Sequence, residues 1–567
     1  MRIYGKAEVS GNLIAVALAG RIGVRVIYGE YVEGELSGGE AKALWHLWDL
    51  GGVRRRSAGG VFEFATAYGD SALYSIKGFS GVLKGVFRAR GFSGVEEGGG
   101  GAFAVKHEGG RFWMWSDKPL RISAGPGGAL AELEVDGGAR VAFAGDLDGL
   151  RAAMRGEAAM EAERRAWASR LLEKASDLGD PTLRYCWYVL LTNRCSLRGH
   201  PALRAPFTMP SKYVFRHQWL WDSSFHAIVL SRYDPRLAAE ELENLFSNQA
   251  PDGRIPHEIF MSREACKSFW GVDGYTPWTT QPPVLAVAVD AVLSKAWDEG
   301  FAKRALSALV KYDEWFRAAR DKDGDWLYSY LDPYETGWDD SPRWDEAVEG
   351  YRAGRRRCGY ERCSMAPVEA VDLNSLIYLQ RRIAARLAER LGDRETAEEY
   401  NEMAEKTAEA IRGLMWDEED GFFYDVYEDA HEKIRVKTPA AFVALFAGVA
   451  TAEQAEALVG HIFSPREFWT AFPIPSVSAD ERVYDPAGYW RGRSWINLIW
   501  FAYKGLRKYG YYAEASRLFA RALEVFAKAP CRENYNSATG EPMGAPDFGW
   551  SALIIDMALE ERGLPCL

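Results

Sequence analysis

The sequence predicts a mainly α-helical protein in which an antiparallel β-sandwich precedes an (α/α)6 barrel. Residues 1–149 carry short apolar alternations separated by glycines, a pattern typical of antiparallel strands. Residues 178–567 carry twelve apolar segments at helical spacing. Twelve helices in consecutive antiparallel pairs predict six hairpins in a ring, because a stacked solenoid would show a fixed repeat length and none is found.

Strand-like alternation is clearest at 23–28 (GVRVIY), 61–64 (VFEF) and 140–144 (RVAFA). The apolar run 13–19 has the position of a signal peptide, but it is short and the pattern continues into the first of these segments. We therefore interpret the run and the segment as a first β-hairpin. No cluster of acidic, histidine or cysteine residues indicates chemistry here, so residues 1–149 are predicted to form an accessory domain.

Residues 150–177 are rich in Ala, Glu, Arg and Leu at helical spacing, which predicts a linker helix. The barrel is predicted over residues 178–567. Its twelve helices are expected near residues 181–197, 221–232, 236–248, 280–298, 300–320, 370–391, 394–414, 438–449, 452–461, 490–509, 511–528 and 547–562.

The segment 370–391 shows the helical pattern most plainly. Its apolar residues fall on one face, and Gly392 follows as an expected C-cap. In a ring of such helices, the loops at one end of the inner helices surround a central pit.

Composition excludes several classes of protein. The chain has 567 residues and a formal net charge of −11, and its length exceeds the roughly 250–300 residues at which single cores stop growing. An acidic surface repels phosphate backbones and anionic lipid, and no apolar run is long enough to span a bilayer, so we expect neither nucleic acid nor a membrane as a partner. Aromatic residues make up 13% of the chain, 21 of them Trp, and sugars are one ligand class that binds ring faces.

Seven cysteines are few and odd in number for this length. They argue against a disulfide framework and favour a reducing compartment, so we expect a cytoplasmic protein. Cys358 and Cys363 lie five apart in a loop rich in glycine and arginine. This spacing leaves open two free thiols or one local disulfide, and no metal site is predicted because no second Cys or His pair lies nearby at zinc-like spacing.

Polar and aromatic residues concentrate in five connections between the predicted helices. Each connection combines Trp or Tyr with a carboxylate, an amide or Arg near a helix start. They are residues 215–226 (FRHQWLWDSSFH), 278–283 (WTTQPP), 334–345 (YETGWDDSPRWD), 489–495 (YWRGRSW) and 532–540 (RENYNSATG). Loops on a rigid scaffold commonly carry function, and convergence of these five would form a ring-walled pocket with carboxylates inside it, as a glycosidase requires.

Cleavage of a glycosidic bond needs a proton for the leaving oxygen and a nucleophile on the other face of the sugar, hence two carboxyl groups. A desolvating ring beside one carboxyl raises its pKa and lets it keep its proton. Asp339 directly follows Trp338 in a turn that contains glycine, so it is the candidate acid. Glu533, between Arg532 and Asn534, has the polar surroundings expected of a base.

Six motifs together resemble glycoside hydrolase family 63 and its relatives, the mannosylglycerate and glucosylglycerate hydrolases, and more distantly the family 37 trehalases. They lie in the same order between about 200 and 560 and are 219–222 (WLWD), 280–283 (TQPP), 335–343 (ETGWDDSPR), 371–375 (VDLNS), 489–492 (YWRG) and 533–540 (ENYNSATG). The resemblance implies a hydrolase that inverts anomeric configuration and needs no cofactor. It is much less specific for the substrate.

The resemblance also implies roles for single residues. Asp339 corresponds to the general acid, Glu533 to the general base, and Trp221 with Asp222 to the loop that holds the sugar to be released. Further substrate contacts are expected from residues of the same motifs, namely Trp219, Gln281, Trp338, Arg343, Tyr489, Trp490, Arg491 and Tyr535.

Some of these residues have a purely structural alternative. Asp222 is suited to cap the helix that follows it. Arg343 and Arg491 are equally suited to ion pairs that stiffen loops. Asp340 competes with Asp339 for the role of acid, but alternating side chains would aim only one of them into the pit, and the motif register favours Asp339.

We expect an inverting, exo-acting α-glycosidase, with α-glucosidase activity favoured, that acts on a small α-glucoside or oligosaccharide. A mannosylglycerate or glucosylglycerate hydrolase, a trehalase-like hydrolase and a debranching-type glucosidase remain alternatives. An inverting phosphorylase is disfavoured because phosphate replaces the attacking water, which makes a base such as Glu533 unnecessary. A sugar-binding protein on an inactive scaffold is the alternative that is not an enzyme, and the presence of both candidate carboxylates argues against it.

The charged stretch 346–362, which includes arginines at 355, 356 and 357, is either a solvated loop or a binding site for an anionic aglycone such as glycerate. The extra domain over residues 1–149, which the minimal glycerate-type enzymes lack, favours a neutral aglycone. The expected partner is a small sugar substrate, and the sequence leaves open whether the chain forms a homo-oligomer.

Overall fold

The structure is a computed structural model. It describes residues 13–17, 21–28, 32–40, 43–49, 52–57, 62–68, 71–108, 110–155, 175, 178–195, 197 and 200–563. The chain divides into two compact units, one of residues 1–179 with 190–208 and one of residues 180–189 with 209–567. Residues 156–174 of the predicted linker helix lie outside the described residues, so the boundary between 149 and 150 stays a prediction.

Among the described residues up to 155, fourteen strands form two antiparallel sheets and are followed by helix α1 (Leu147–Arg155). The strands are β1 (Leu13–Ala17), β2 (Arg21–Tyr28), β3 (Val32–Glu40), β4 (Ala43–Asp49), β5 (Gly52–Ser57), β6 (Phe62–Tyr68), β7 (Ser71–Lys77), β8 (Gly81–Ala89), β9 (Gly94–Gly98), β10 (Ala102–His107), β11 (Gly110–Ser116), β12 (Leu120–Gly125), β13 (Gly128–Val135) and β14 (Gly138–Ala144). One sheet has the order β1-β2-β3-β8-β13-β12 and the other β4-β5-β6-β7-β14-β11-β10-β9. The predicted first hairpin is confirmed, because β1 pairs with β2 antiparallel.

The two sheets share one apolar core. Along β8, Leu83 and Phe87 are buried while Lys84 and Arg88 are exposed, so the period of two seen in the sequence is the alternation between core and solvent. Phe87 of this sheet packs against Phe143 of the other, with ring centroids 6.1 Å apart. The predicted antiparallel β-sandwich is therefore confirmed for the described strands.

The remaining helices match the twelve that the sequence predicts, with two short additions. They are α2 (Pro181–Asn193), α3 (Leu220–Ser231), α4 (Pro235–Ser247), α5 (Arg263–Trp270), α6 (Leu285–Lys295), α7 (Glu299–Ala319), α8 (Asp345–Arg352), α9 (Val371–Leu391), α10 (Arg394–Ala410), α11 (Ala440–Ala447), α12 (Ala452–Ile462), α13 (Ile496–Lys508), α14 (Tyr512–Phe526) and α15 (Leu553–Glu561). The additions are α5 and α8, which lie within loops.

In the described part of the chain after α1, twelve short strands join the loops in pairs or in one larger sheet. They are β15 (Arg194–Cys195), β16 (Phe207–Thr208), β17 (Gln218–Trp219), β18 (Glu258–Ile259), β19 (Ser329–Tyr330), β20 (Val368–Glu369), β21 (Trp416–Asp417), β22 (Phe422–Phe423), β23 (Asp425–Tyr427), β24 (Lys433–Ile434), β25 (Asn534–Tyr535) and β26 (Pro542–Met543). The largest of these sheets has the order β19-β20-β23-β24.

Six helices of the second unit form a closed inner ring in the order α3, α6, α9, α11, α13 and α15, and α15 contacts α3 again. Helices α4, α7, α10, α12 and α14 each pack against an inner helix that is their neighbour in the chain. Every residue of α3 and α11 is buried, as expected for helices enclosed on all sides. The (α/α)6 barrel is confirmed.

The end of α9 and the start of α13 show which local features decide where a helix ends or begins. Gly392 adopts φ +87° and ends α9, as predicted for a C-cap glycine. Helix α13 begins at Ile496, six residues later than predicted, because Trp490 donates its backbone N–H to Asp340 Oδ1 at 2.7 Å and stays in a loop. Among the described residues, no helix is both long and apolar enough to cross a membrane.

Candidate functional site

The five loops singled out in the sequence meet at one cavity of about 510 Å³ in the second unit. Each loop lies on the N-terminal side of an inner helix, so the closed ring brings them to the same place. The cavity walls are aromatic and include Phe215, Trp219, Trp221, Phe260, Phe269, Trp270, Tyr334, Tyr489, Trp490, Phe548 and Trp550. A concave site of this volume suits one or two sugar rings.

Eight of the twelve residues predicted for the site line this cavity. They are Trp219, Trp221, Asp222, Gln281, Asp339, Tyr489, Trp490 and Glu533. Both candidate catalytic carboxyl groups are among them, although 194 positions separate them in the chain.

Arg343 and Trp338 lie behind the cavity lining. The Arg343 guanidinium is buried between two carboxylates, with Nη1 2.9 Å from Asp372 Oδ1 and 3.1 Å from Asp425 Oδ2. It is sandwiched between the rings of Trp338 and Trp344, at 4.5 and 4.2 Å from their centroids. Of the two alternatives for Arg343, the structure shows the ion pair that stiffens the loop.

Arg491 and Tyr535 also lie outside the lining. Arg491 binds Asp345 with Nη2 at 2.7 Å and Nη1 at 2.9 Å, and Nη1 also donates to the Asp340 carbonyl. Tyr535 is fully buried and donates its hydroxyl to the Ala529 carbonyl at 2.9 Å. Both side chains therefore hold the loops that surround the cavity.

Asp339 reaches the cavity because its loop passes directly over a tryptophan. Gly337 adopts φ +72°, and a Cβ at this position would lie 2.7 Å from Cζ2 of Trp221, so only glycine fits. Asp340, the next residue, is exposed and accepts the Trp490 N–H instead. Burial, and next the charge of Asp340, raises the pKa of Asp339 to about 7, so this carboxyl keeps a proton near neutral pH.

Glu533 is held by two donors. Its Oε2 accepts the backbone N–H of Ala545 at 2.7 Å, and its Oε1 accepts the hydroxyl of Tyr489. Burial raises the pKa of Glu533, while these two bonds and the charge of Arg493 act in the opposite direction. Glu533 thus has the hydrogen-bonded surroundings that stabilise a carboxylate.

Asp222 lies in the first turn of α3, which starts two residues before it without a side-chain cap. The capping alternative is therefore wrong. Asp222 Oδ1 is buried without a hydrogen-bond partner, and burial, then the charge of Glu533, raises its pKa well above the usual value. The neighbouring N–H of Trp221 donates to Gln281 Oε1 at 3.2 Å, which orients that amide at the cavity wall.

Comparison with known proteins identifies the barrel. The model of the mannosylglycerate hydrolase MGH1-like glycoside hydrolase domain matches residues 215–551. The chain belongs to this family. It is 32% identical to mannosylglycerate hydrolase of Thermus thermophilus over 409 residues, which cover 62% of this chain and 96% of the relative. It is 31% identical to mannosylglycerate hydrolase of Rubrobacter radiotolerans over 417 residues, which cover 62% of this chain and 93% of the relative.

A solved structure gives the same result. A family 63 mannosylglycerate hydrolase from Thermus thermophilus, crystallised with Tris and D-glycerate, aligns with a TM-score of 0.59 at 28% identity. The alignment covers 67% of this chain and all of that chain. The protein is therefore a glycoside hydrolase of the family 63 type, and more than a third of its chain lies outside the part shared with the two relatives named above.

Besides Asp222, Asp339 and Glu533, the cavity of this glycoside hydrolase holds a fourth carboxyl group, Glu258, which the sequence analysis missed. Strand β18 places Glu258 opposite Trp219 of β17. Glu258 Oε1 accepts Trp270 Nε1 at 2.9 Å, while Oε2 is buried without a partner. Burial is the main cause that raises the pKa of Glu258 to about 8, and the charge of Asp339 adds to it. Glu258 lies in a strand of two residues, and so short a segment shows no hydrophobic periodicity that could have pointed to it in the sequence.

His257, which lines the cavity, adds no cationic charge at neutral pH, because burial lowers its pKa to about 3. Among the described residues, the lining contains no Lys or Arg. Four carboxyl groups, Asp222, Glu258, Asp339 and Glu533, therefore face a cavity without an opposing lysine or arginine.

The charged stretch 346–362 lies outside the lining of this cavity. Arg355 pairs with Glu346 at 3.1 Å, and Arg356 pairs with Glu432 at 2.8 Å. Cys358 and Cys363 form a disulfide within the same stretch, which settles the pairing that the sequence left open. These contacts agree with the surface-loop interpretation of the stretch.

Proposed function

We propose that the protein is an inverting, exo-acting α-glycosidase, with α-glucosidase activity favoured, in which Asp339 is the general acid and Glu533 the general base. One observation carries this proposal: both carboxyl groups line the same aromatic cavity. A pKa near 7 allows Asp339 to protonate the departing oxygen. The donors from Tyr489 and Ala545 favour an ionised Glu533 that activates water.

Inversion requires a water between the base and the anomeric carbon, and a carboxyl separation of about 6.5–9.5 Å accommodates it. Exo action is supported by the closed ring of inner helices, because a pit at one end of a ring admits a chain end more readily than a chain interior. The sugar to be released would contact Asp222, whose buried Oδ1 has no protein partner and is available to a hydroxyl.

Glu258 is proposed to bind the substrate as a neutral hydrogen-bond donor. Its pKa of about 8 leaves it protonated at neutral pH, and Oε2 has no partner within the protein. The bond from Trp270 Nε1 fixes the other oxygen at 2.9 Å, so the free oxygen has a defined direction. A buried polar group of this kind selects strongly for a substrate hydroxyl that satisfies it.

A second candidate function is hydrolysis of mannosylglycerate, which the names of the relatives favour. Glycerate carries a carboxylate, and the described lining offers it neither Lys nor Arg while it holds four carboxyl groups. We therefore favour a neutral aglycone. Mannosylglycerate and glucosylglycerate are the substrates against which this preference is tested.

The experiment is a substrate panel of trehalose, nigerose, kojibiose, maltose, isomaltose, mannosylglycerate and glucosylglycerate, with the first-formed anomer followed by proton NMR. We expect release of the β-anomer from a neutral α-glucoside. Release of the α-anomer would exclude inversion. A kcat/KM for either glycerate compound that exceeds those of all neutral sugars would replace the first candidate by the second.

A cytoplasmic location also remains a proposal. It is supported by the low and odd number of cysteines, while the disulfide between Cys358 and Cys363 counts against it. The number of chains in the active assembly is to be measured by light scattering.

A further inference from the structure

A second group of titratable side chains lies outside the cavity. Asp323, Asp325, Glu369 and His431 each offer one ligand atom, and these four atoms lie within 4.8 Å of one another. The aspartates belong to the loop after α7, Glu369 to strand β20, and His431 to the turn between β23 and β24. None of the four lines the cavity, so the proposed glycosidase mechanism does not use them.

Glu369 is the most unusual member of this group. Its side chain is 1% exposed, yet neither carboxylate oxygen has a hydrogen-bond partner. Asp325 Oδ2 is likewise buried without one. Buried carboxylate oxygens are almost always hydrogen-bonded or bound to an ion, because an unpaired buried charge costs several kcal/mol or more. The cluster therefore requires a partner.

Neighbouring cations do not supply that partner. His431 Nε2 is 3.0 Å from Asp325 Oδ2 and 3.8 Å from Glu369 Oε2, but it makes no hydrogen bond in this geometry. Lys322 points elsewhere, since its Nζ donates to the Gly359 carbonyl and lies 4.4 Å from the Tyr360 ring centroid. Within the described part of the chain, the three carboxyl groups of this cluster thus have the His431 imidazole beside them.

The loop 321–325 (DKDGD) supplies two of the four ligand atoms, one from Asp323 and one from Asp325. Gly324 adopts φ +78°, and its N–H donates to Asp321 Oδ1 at 2.8 Å, which closes the loop. The N–H of Leu327 donates to Asp325 Oδ1 at 2.8 Å, so Asp325 Oδ2 remains for a ligand. Carboxylates at alternate positions of a tight loop, with a more distant Glu, form a donor set preferred by hard cations.

We propose that Asp323, Asp325 and Glu369, with His431 at the edge of the site, bind a hard divalent cation, Ca²⁺ before Mg²⁺ or Mn²⁺. Carboxylate oxygens are the ligands that these ions prefer, and Ca²⁺ tolerates the irregular geometry of a loop best. The ion neutralises charge and supplies the partner that the buried oxygens of Glu369 lack.

The position of the site gives the ion a stabilising role for the cavity loops. Glu369 pairs with Ser329 on one side and with Val426 on the other within the sheet β19-β20-β23-β24. The adjacent Asp425 of β23 binds Arg343, which belongs to the loop of Asp339. A cation at Glu369 therefore ties together the sheet on which this loop is anchored.

The test uses the full chain, treated with EDTA and then dialysed. Thermal unfolding is followed without metal and with Ca²⁺, Mg²⁺ or Mn²⁺, and we expect Ca²⁺ to raise the Tm by about 5 °C, because it binds the folded state alone. In a second measurement, Tb³⁺ is added, whose luminescence is sensitised by Trp326, next to Asp325 in the chain. Ca²⁺ should displace it.

Two variants locate the binding. Glu369→Gln and Asp323→Asn are each expected to abolish the Ca²⁺-dependent shift in Tm and the Tb³⁺ signal. Glu398→Gln removes the same charge as the first variant at an exposed position of α10, and should behave as the unchanged protein. If Glu369→Gln does not fold, Asp323→Asn alone tests the proposal. Asp323 is 32% exposed, so its substitution is expected to leave the fold intact.

The proposal is overturned if no cation changes the Tm and no Tb³⁺ luminescence appears. It is also overturned if both variants retain the shift. Neither result would bear on the proposed acid and base, which the substrate panel tests separately.

Discussion

Buried carboxyl groups occur in two kinds of surroundings in this barrel. In the helical wall, Asp556 lies 2.6 Å from Arg232 Nε, and Asp313 lies 2.7 Å from Arg381 Nε. Burial alone would raise the pKa of Asp556, yet the charges of Lys504 and Arg232 hold it below its usual value. In the cavity, Asp339 has no such cation, and its pKa rises to about 7.

The difference teaches how one fold assigns different tasks to the same chemical group. Where a cation lies beside a carboxylate, the ion pair stabilises the helical wall, and the carboxylate stays ionised and cannot act as an acid. Where no lysine or arginine lies beside the carboxyl group, burial and the charges of neighbouring carboxylates keep a proton on the acid at neutral pH. Each prediction below disturbs one side of this contrast.

The largest expected effect concerns the acid and the base. Asp339→Asn and Glu533→Gln should each lower kcat by about 10²–10⁴-fold, because each removes one proton transfer, as measured by initial rates on the best substrate of the panel. Asp340→Asn is the matched control and should stay within about threefold of the unchanged protein. If Asp340→Asn were inactive and Asp339→Asn active, the assignment of the acid would pass to Asp340.

A wall carboxylate should matter to stability instead. Asp556→Asn removes one of the two buried carboxylates that pair with Arg232 and Lys504, and Glu560 remains as the other. We expect a loss of about 1.5–3 kcal/mol in the free energy of unfolding, measured by urea denaturation. Asp339→Asn should not lower the free energy of unfolding at pH 8. Equal losses in the two variants would abolish the contrast between wall and cavity.

The cavity acid should in fact reduce stability when it is ionised. Its folded pKa of about 7 lies above the usual value of 3.8, so stability is lost as the pH rises from about 4 through about 7. Asp339→Asn should therefore have a higher Tm than the unchanged protein at pH 8 and the same Tm at pH 4. A Tm difference that does not change between these two pH values would show that the carboxyl is not a buried acid.

Smaller effects are expected on the pH dependence of substrate binding. Glu258 loses its proton near pH 8, so KM should rise above that pH in the unchanged protein, while Glu258→Gln should keep a flat KM across the same range. The fall of kcat above pH about 7, which belongs to Asp339, should be alike in both. A rise in KM that persists in the variant would exclude Glu258 as the donor.

The smallest effect is predicted for the charged stretch. Arg355→Ala breaks an ion pair with Glu346 in which both side chains are 52% exposed, and such pairs contribute at most about 1 kcal/mol. We expect an unchanged kcat/KM for neutral sugars and for mannosylglycerate. A selective loss with mannosylglycerate would instead place this loop at the aglycone.

The sequence was sufficient for the helices because burial is periodic. The segment at 370–391 shows its buried face directly, and Gly392 marks its end. It was also sufficient to place Asp339 at the cavity, since glycine and tryptophan beside a carboxylate already indicate a tight, desolvating turn, while its role as the acid stays a prediction. The start of α13 was missed because Trp490 and Trp495 are apolar residues of a loop, and composition alone does not separate these from helix.

Pairing across the fold could not be predicted in the same way. Arg343 looked like a substrate contact because its buried partners, Asp372 and Asp425, lie 29 and 82 positions away in the chain. Glu258 was missed because what distinguishes it is its contact with Trp270 and its position at the cavity. Neither can be inferred from the residues next to it in the sequence. Three-dimensional proximity decides both cases.

The closure of the ring has a consequence for how the protein is made. Helix α15 contacts α3, and the ion pair between Asp556 and Arg232 joins them. A ribosome must therefore release residue 561 before the first inner helix acquires its last neighbour. Until then, the nascent chain exposes an apolar seam, so we expect an unfinished barrel to depend on chaperones more than its upstream sandwich does.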